Sequence, residues 1–181
     1  MRMFLVLIVM MMSSAFAMAQ DNYGFKVAGV DVTSDNYLDL TEISGVSGKV
    51  YFDPNTRTLT LDNATIEVDG CNAILNKDCR YLVIELLGTN TINVTNSAGI
   101  YTCESTTILG GSGSTLTIKN DRCAVLFEGS PLEIVNCWLE VEGNWGISAN
   151  DNVAEEVLTI RNSHVEATGP TGSICDIAGL E

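Results

Sequence analysis

Apolar residues recur in one fixed order between Leu59 and Ile174. Leu61, Ile66, Val68 and Ile74 set that order. It returns as Ile84, Ile92, Val94, Ile100 and as Ile108, Leu116, Ile118, Val125. It returns again as Ile134, Leu139, Val141, Ile147 and as Ile160, Val165, Ala167, Ile174. The first anchors lie 23, 24, 26 and 26 residues apart. One residue always separates the second anchor from the third: Glu67, Asn93, Thr117, Glu140 or Glu166. A small residue precedes each fourth anchor: Ala73, Gly99, Ala124, Gly146 or Ser173. A period in this range marks stacked structural repeats.

Within each copy the apolar period is two. Leu59-Thr60-Leu61, Leu82-Val83-Ile84, Leu116-Thr117-Ile118 and Leu139-Glu140-Val141 all alternate. Such alternation marks a strand with one buried face. Asn, Gly, Asp and Ser punctuate the strands and supply turns. A copy this short has room for three strands and none for a helix, and its Leu/Asn spacing does not match a leucine-rich repeat. The expected fold is therefore all-β, a right-handed single-stranded parallel β-helix of about five coils. The hand follows from the general handedness of parallel crossovers.

Asn63, Asn136 and Asn162 each stand two residues after a first anchor. Asn tolerates left-handed backbone, and stacked Asn side chains can bond along an axis. Copies two and three place Leu86-Leu87-Gly88 and Gly110-Gly111 there, with 8 residues between anchors against 5 elsewhere. That bulge is expected to wall a groove. Upstream, Phe25-Lys26-Val27 and Val30-Asp31-Val32 read as edge strands. Val50 to Leu61 reads as a hairpin through Asp53-Pro54-Asn55-Thr56. A first coil exposes an open edge and an open core, so residues 20–57 are assigned as an N-terminal β-hairpin cap. Residues 58–181 form the parallel β-helix, which breaks off inside a sixth coil and reads as C-terminally truncated.

Residues 1–19 read as a signal peptide: Arg2, an apolar run from Phe4 to Met12, then Ala17-Met18-Ala19. The run is too short to span a membrane. Export to the periplasm, cell surface or medium is the expectation. The chain holds 9 basic and 23 acidic residues, a net charge of −14. Such a balance disfavours nucleic acid and anionic membranes, and suits oxygen-ligated cations such as calcium. Six cysteines, Cys71, Cys79, Cys103, Cys123, Cys137 and Cys175, allow disulfides, with Cys71–Cys79 within one loop or Cys79–Cys103 between neighbouring coils the first candidates, or else serve as small apolar residues in turns and core. No CxxC suggests zinc.

No nucleophile elbow, zinc-protease motif or phosphate loop is present. The single histidine, His164, reads as a turn residue. The outward stripe brings Glu140 and Glu166 onto neighbouring coils, roughly 4.8 Å apart. That pair suits a cation or an acid–base pair, and otherwise is a polar strand face. Trp138 and Trp145 flank the Glu140 strand, and Tyr101 follows a fourth anchor, with Leu75 and Leu126 at the equivalent positions. Flat rings cover the C–H face of a pyranose. Tyr101, Trp138, Glu140, Trp145 and Glu166 are therefore the candidate ligand-binding residues.

Leu59-Thr-Leu-Asp-Asn-Ala-Thr-Ile66, Leu86-Leu-Gly-Thr-Asn-Thr-Ile92 and Gly110-Gly-Ser-Gly-Ser-Thr-Leu-Thr-Ile118 resemble stretches of exported proteins of Bacteroides-type bacteria. So do Val30-Asp-Val-Thr and Val50-Tyr-Phe-Asp-Pro-Asn-Thr. Together they are similar to the carbohydrate-binding β-helix domain of pectin-binding proteins. The resemblance spans about residues 27–175. It implies a right-handed parallel β-helix, calcium-assisted binding of acidic plant polysaccharide and at most weak lyase activity, and it carries no metal-ligand positions across. The functional expectation is an exported, non-catalytic polysaccharide-binding protein. The alternatives are a β-helix lyase or glycoside hydrolase, and a structural surface protein.

Overall fold

The computed structural model describes residues 20–150 and 153–181. The expected leader, residues 1–19, lies outside them. Among the described residues the regular structure is all strand, and no helix is long and apolar enough to cross a membrane. Strands β1 (Asn22–Val27) and β2 (Val30–Thr33) pair antiparallel, as do β3 (Val46–Asp53) and β4 (Thr58–Asp69). With β5 (Ile74–Asn76), β4 completes the first coil. Coil two holds β6 (Leu82–Leu87), β7 (Thr89–Thr95) and β8 (Ile100–Thr102). Coil three holds β9 (Thr106–Gly110), β10 (Thr115–Asn120) and β11 (Cys123–Phe127). Coil four holds β12 (Leu132–Val135), β13 (Trp138–Glu142) and β14 (Trp145–Ala149). Coil five holds β15 (Val157–Arg161), β16 (His164–Thr168) and β17 (Gly172–Cys175), after which β18 (Gly179–Leu180) pairs with β15.

Every pairing between coils is parallel and in register. One face stacks as β17-β14-β11-β8-β5 and runs on into the hairpin β1-β2. The other two faces form one sheet, because β4 serves both. Its residues Thr58–Asp62 pair with β6, and Thr65–Asp69 pair with β7. The result is a parallel β-helix of five coils with β3 laid along the outer edge of β4.

The apolar columns are as expected on one face and displaced on two. Ile74, Ile100, Val125, Ile147 and Ile174 stack directly. The first column is Leu59, Ile84, Ile108, Ile134 and Ile160, so Leu59 is the anchor and Leu61 stacks on Leu86. The next face stacks Ile66, Ile92, Ile118, Val141 and Ala167. Leu116 and Leu139 therefore belong beside Asn90, one strand position earlier on that face. A shift of two residues keeps every side chain on its own face, so alternation alone does not detect it. Turn length does. With the register corrected, coil three carries the larger insertion, the turn Gly110–Ser114. The outward stripe divides accordingly. Thr65, Thr91, Thr117, Glu140 and Glu166 form one row, and Glu67, Asn93, Lys119, Glu142 and Thr168 the next.

The small residues before the fourth column have a steric cause. A Cβ on Gly99 would stand 2.5 Å from both the Ala124 carbonyl oxygen and Ile118 Cγ2, and one on Gly146 would stand 2.4 Å from the Ser173 carbonyl oxygen. Asn63, Asn136 and Asn162 do adopt left-handed backbone, with φ of 48°, 56° and 50°. Axial bonding runs from Asn side chains to backbone: Asn63 Oδ1 accepts from Thr89 N–H, and Asn90 Oδ1 from Ala64 N–H. A buried polar network closes another corner. Asn76 donates to Thr106 Oγ1 and the Cys79 carbonyl, and accepts from Cys79 N–H. Buried polar groups of this kind are stabilising only when satisfied. Phe25, Phe52, Tyr23 and Tyr37 pack together over the first coil, Tyr23–Tyr37 and Phe25–Phe52 edge to face and Tyr23–Phe52 tilted, the Phe25–Phe52 centroids 4.8 Å apart. All six cysteines are free, so neither expected disulfide forms.

Ile92 is fully buried in mid-column, whereas Ile174 in the last coil is 37% exposed. Ile92→Ala is expected to cost about 2–5 kcal/mol, and Ile174→Ala clearly less. Gly99→Ala is expected to destabilise by about 1–3 kcal/mol through overpacking. Denaturant unfolding followed by circular dichroism measures all three, and equal losses at Ile92 and Ile174 contradict the stacking.

Candidate functional site

Trp138 and His164 open β13 and β16 and are register partners on adjacent coils. Alternation turns both outward, because Leu139 and Val165 point into the core. Their rings stack with centroids 3.9 Å apart and planes 32° from parallel. Two residues on, Glu140 and Glu166 are partners in the same way. Trp138 donates from Nε1 to Glu140 Oε1 at 2.9 Å, and His164 Nε2 is paired with Glu166 Oε1 at 2.8 Å. Each ring is thus tied to the carboxylate two residues ahead on its own strand. Stacking on a neighbour adds about 0.5–1.5 kcal/mol per aromatic pair. Trp138 nevertheless stays 44% exposed.

On its other side Trp138 is registered with Thr115, whose short side chain leaves space. The inserted turn of coil three walls that space. The cavity is open, about 590 Å³, and lined by Gly110–Thr115, Asn136, Cys137, Trp138, Asn162 and His164. The turn is held in place. Gly111 N–H donates to Ser114 Oγ, which itself donates to the Leu86 carbonyl in the coil below at 2.7 Å. A side chain at Gly110 would strike Cys137 Cβ at 2.6 Å. The expected groove wall is therefore present, built by coil three. A second, smaller hollow of about 300 Å³ continues along the strands past Glu140 and Glu166 to Lys119 and Glu142.

The five candidate residues fall into two groups. Trp138, Glu140 and Glu166 come together, and His164, read as a turn residue, joins them. The signal for His164 was its offset: it precedes Glu166 as Trp138 precedes Glu140. Tyr101 and Trp145 lie on the face of short strands, β8 and β14, away from this groove. The Tyr101 hydroxyl donates to Glu128 Oε2, and Asn150 donates to the other oxygen of that carboxylate. Trp145 lines a separate hollow of about 270 Å³ with Leu126, Ser148 and Asp176.

A calcium site does not fit these side chains. Among the described residues no group of three or more His, Cys, Asp or Glu gathers to hold a metal ion. Glu140 and Glu166 each already spend one oxygen on a ring nitrogen. The Glu166 side chain is 60% exposed, and Glu140 is half-buried. Comparison with known proteins returned no matching family model, no matching curated sequence and no matching solved structure.

The Glu128 bond holds the Tyr101 hydroxyl well above the ordinary tyrosine range, with partial burial acting in the same direction. A raised folded value stabilises the fold below the ordinary tyrosine value, and that contribution fades as pH rises through the folded one. Tyr101 is expected to ionise late in an alkaline titration followed by tyrosinate absorbance, and Glu128→Gln is expected to bring it down. An unchanged titration curve in that variant contradicts the bond.

Proposed function

We propose that this chain is an exported, non-catalytic glycan-binding β-helix whose binding surface is the Trp138 groove. The observation that carries the reading is an exposed indole whose orientation is fixed twice, by the Glu140 bond and by stacking on His164, on the wall of an open groove. Leaving a large apolar ring in water is unfavourable, and fixing its orientation removes the entropy that a ligand would otherwise have to freeze out. A preorganised flat ring beside backbone and Asn polar groups suits the C–H face of a sugar ring with hydroxyls at its edge. The cavity is open, and a second hollow continues along the strands from it, as a surface for a chain-like ligand would. The open, ring-paired carboxylates favour binding over catalysis, since acid–base chemistry requires a carboxylate free to take and give a proton.

Retention in native gels cast with soluble polysaccharides, or pull-down on insoluble ones, tests the proposal. Trp138→Ala is expected to abolish most of the retention, while Trp145→Ala, on the other face, is expected to retain it. Equal loss in both variants, or no retention by the unaltered protein on any polysaccharide, overturns it. Release of new reducing or unsaturated ends would move the reading to a hydrolase or lyase.

A further inference from the structure

We infer that the Trp138 groove selects sugars without carboxylates, and that Glu140 and Glu166 are the residues that enforce this. The inference rests on the glycan reading and narrows it. It also departs from the acidic, calcium-bridged ligand that the sequence resemblance implies.

Charge placement is the first ground. The residues lining the groove are Gly, Ser, Thr, Asn, Cys, Trp and His, with no Lys or Arg among them. A uronate seated on Trp138 would therefore meet no Lys or Arg, and the one imidazole there, His164, is already paired with Glu166. The uronate would meet two fixed anions. Glu140 and Glu166 lie one outward position along their strands from Trp138 and His164, roughly 7 Å away, on coils roughly 4.8 Å apart. Their bonds to the ring nitrogens hold both carboxylates beside the groove. Of the nearby basic groups, Arg161 holds Glu133 through Nη2 at 3.0 and 2.9 Å on a different face, while Lys119 lies at the far end of the second hollow with Nζ 3.9 Å from Glu142.

Geometry is the second ground. His164 covers one face of the indole, so a sugar stacks from the side of Thr115 and the Gly110–Ser114 turn. A chain stacked there and following the strands passes between Thr117 and Glu140, with Glu166 on the next coil, into the second hollow. Hydroxyls can donate to those carboxylates, and amino groups can pair with them. A carboxylate can do neither. A divalent ion that would reverse the sign has no cluster of three acidic, His or Cys side chains to hold it among the described residues.

The experiment compares polymers that share a backbone and differ in charge. Polygalacturonate is run against its methyl ester, and carboxymethyl-cellulose against hydroxyethyl-cellulose, on the full exported chain, at low and high salt, with calcium and with chelator. The uncharged member of a pair is expected to be retained severalfold more strongly at low salt, with the gap narrowing as salt screens the repulsion. Glu140→Gln with Glu166→Gln keeps a carbonyl acceptor for each ring nitrogen and removes both charges. The charged-to-uncharged ratio is expected to rise towards one in that variant, with its folding checked by circular dichroism. Stronger retention of the charged polymer, retention only with calcium, or an unchanged ratio in the double variant overturns the selection and leaves the glycan reading standing. Retention of neither member of either pair, nor of any other polysaccharide, removes the glycan reading and the selection with it.

Discussion

Register between successive coils is the constraint on which this molecule depends. Parallel strands repeat at one fixed spacing, so a side chain has one neighbour above and one below at the same height. Like therefore stacks on like. Ile on Ile gives columns without voids, and a small residue beside each column lets the backbone turn the corner. Gly99 shows how little slack there is, because a single methyl group would meet a carbonyl oxygen and a core methyl group together. The same constraint acts outside the core. It sets Trp138 on His164 and Glu140 beside Glu166, with no loop conformation needed to place them.

That regularity made the architecture legible in the sequence and also limited what was legible. Ile74 to Ile174 could be aligned because each follows a small residue and a short strand. Leu61 was taken for Leu59, and Leu116 for Ile118, because a slip of two preserves the alternation. The residues that resolve the slip are in the turns, where insertions are tolerated and carry no periodic signal. The outward row inherited the error. It appeared to run from Glu67 to Glu166, whereas Glu67 belongs to the row of Lys119 and Glu142.

The candidate groove is half legible for the same reason. Trp138, Glu140 and Glu166 come together because strand offset and coil register suffice to place them side by side. Tyr101 reads as following a fourth anchor and Trp145 as flanking the Glu140 strand, yet a coil turns a corner before each, between Thr95 and Ile100 and between Glu142 and Trp145, and places both on another face. Chain direction after a corner depends on which residue adopts left-handed backbone, and composition specifies that weakly. The disulfides fail on similar grounds. Cys71 lies at the corner between β4 and β5 and Cys79 at the next; Cys103 lies at the matching corner of coil two, yet Cys79 is anchored through its backbone to the Asn76 side chain and all three thiols stay free.

Where a stacked fold can acquire a site follows from where it can vary. The columns cannot change length without losing register, so an added residue must leave the coil at a turn. Coil three does this at Gly110–Ser114. It has few other ways to do so, because Gly110 must pass Cys137 and Ser114 must reach back to the Leu86 carbonyl. The inserted turn stands away from the sheet, and the next coil must then present a side chain to the space it leaves. In coil four that side chain is Trp138, with Thr115 below it too small to fill the gap. An indole there gains little from the protein on that side and is fixed by His164 and Glu140 on the other. The groove is thus what the coil register leaves when one turn is lengthened. Its chemistry is set by which side chains the two following coils place in the same row.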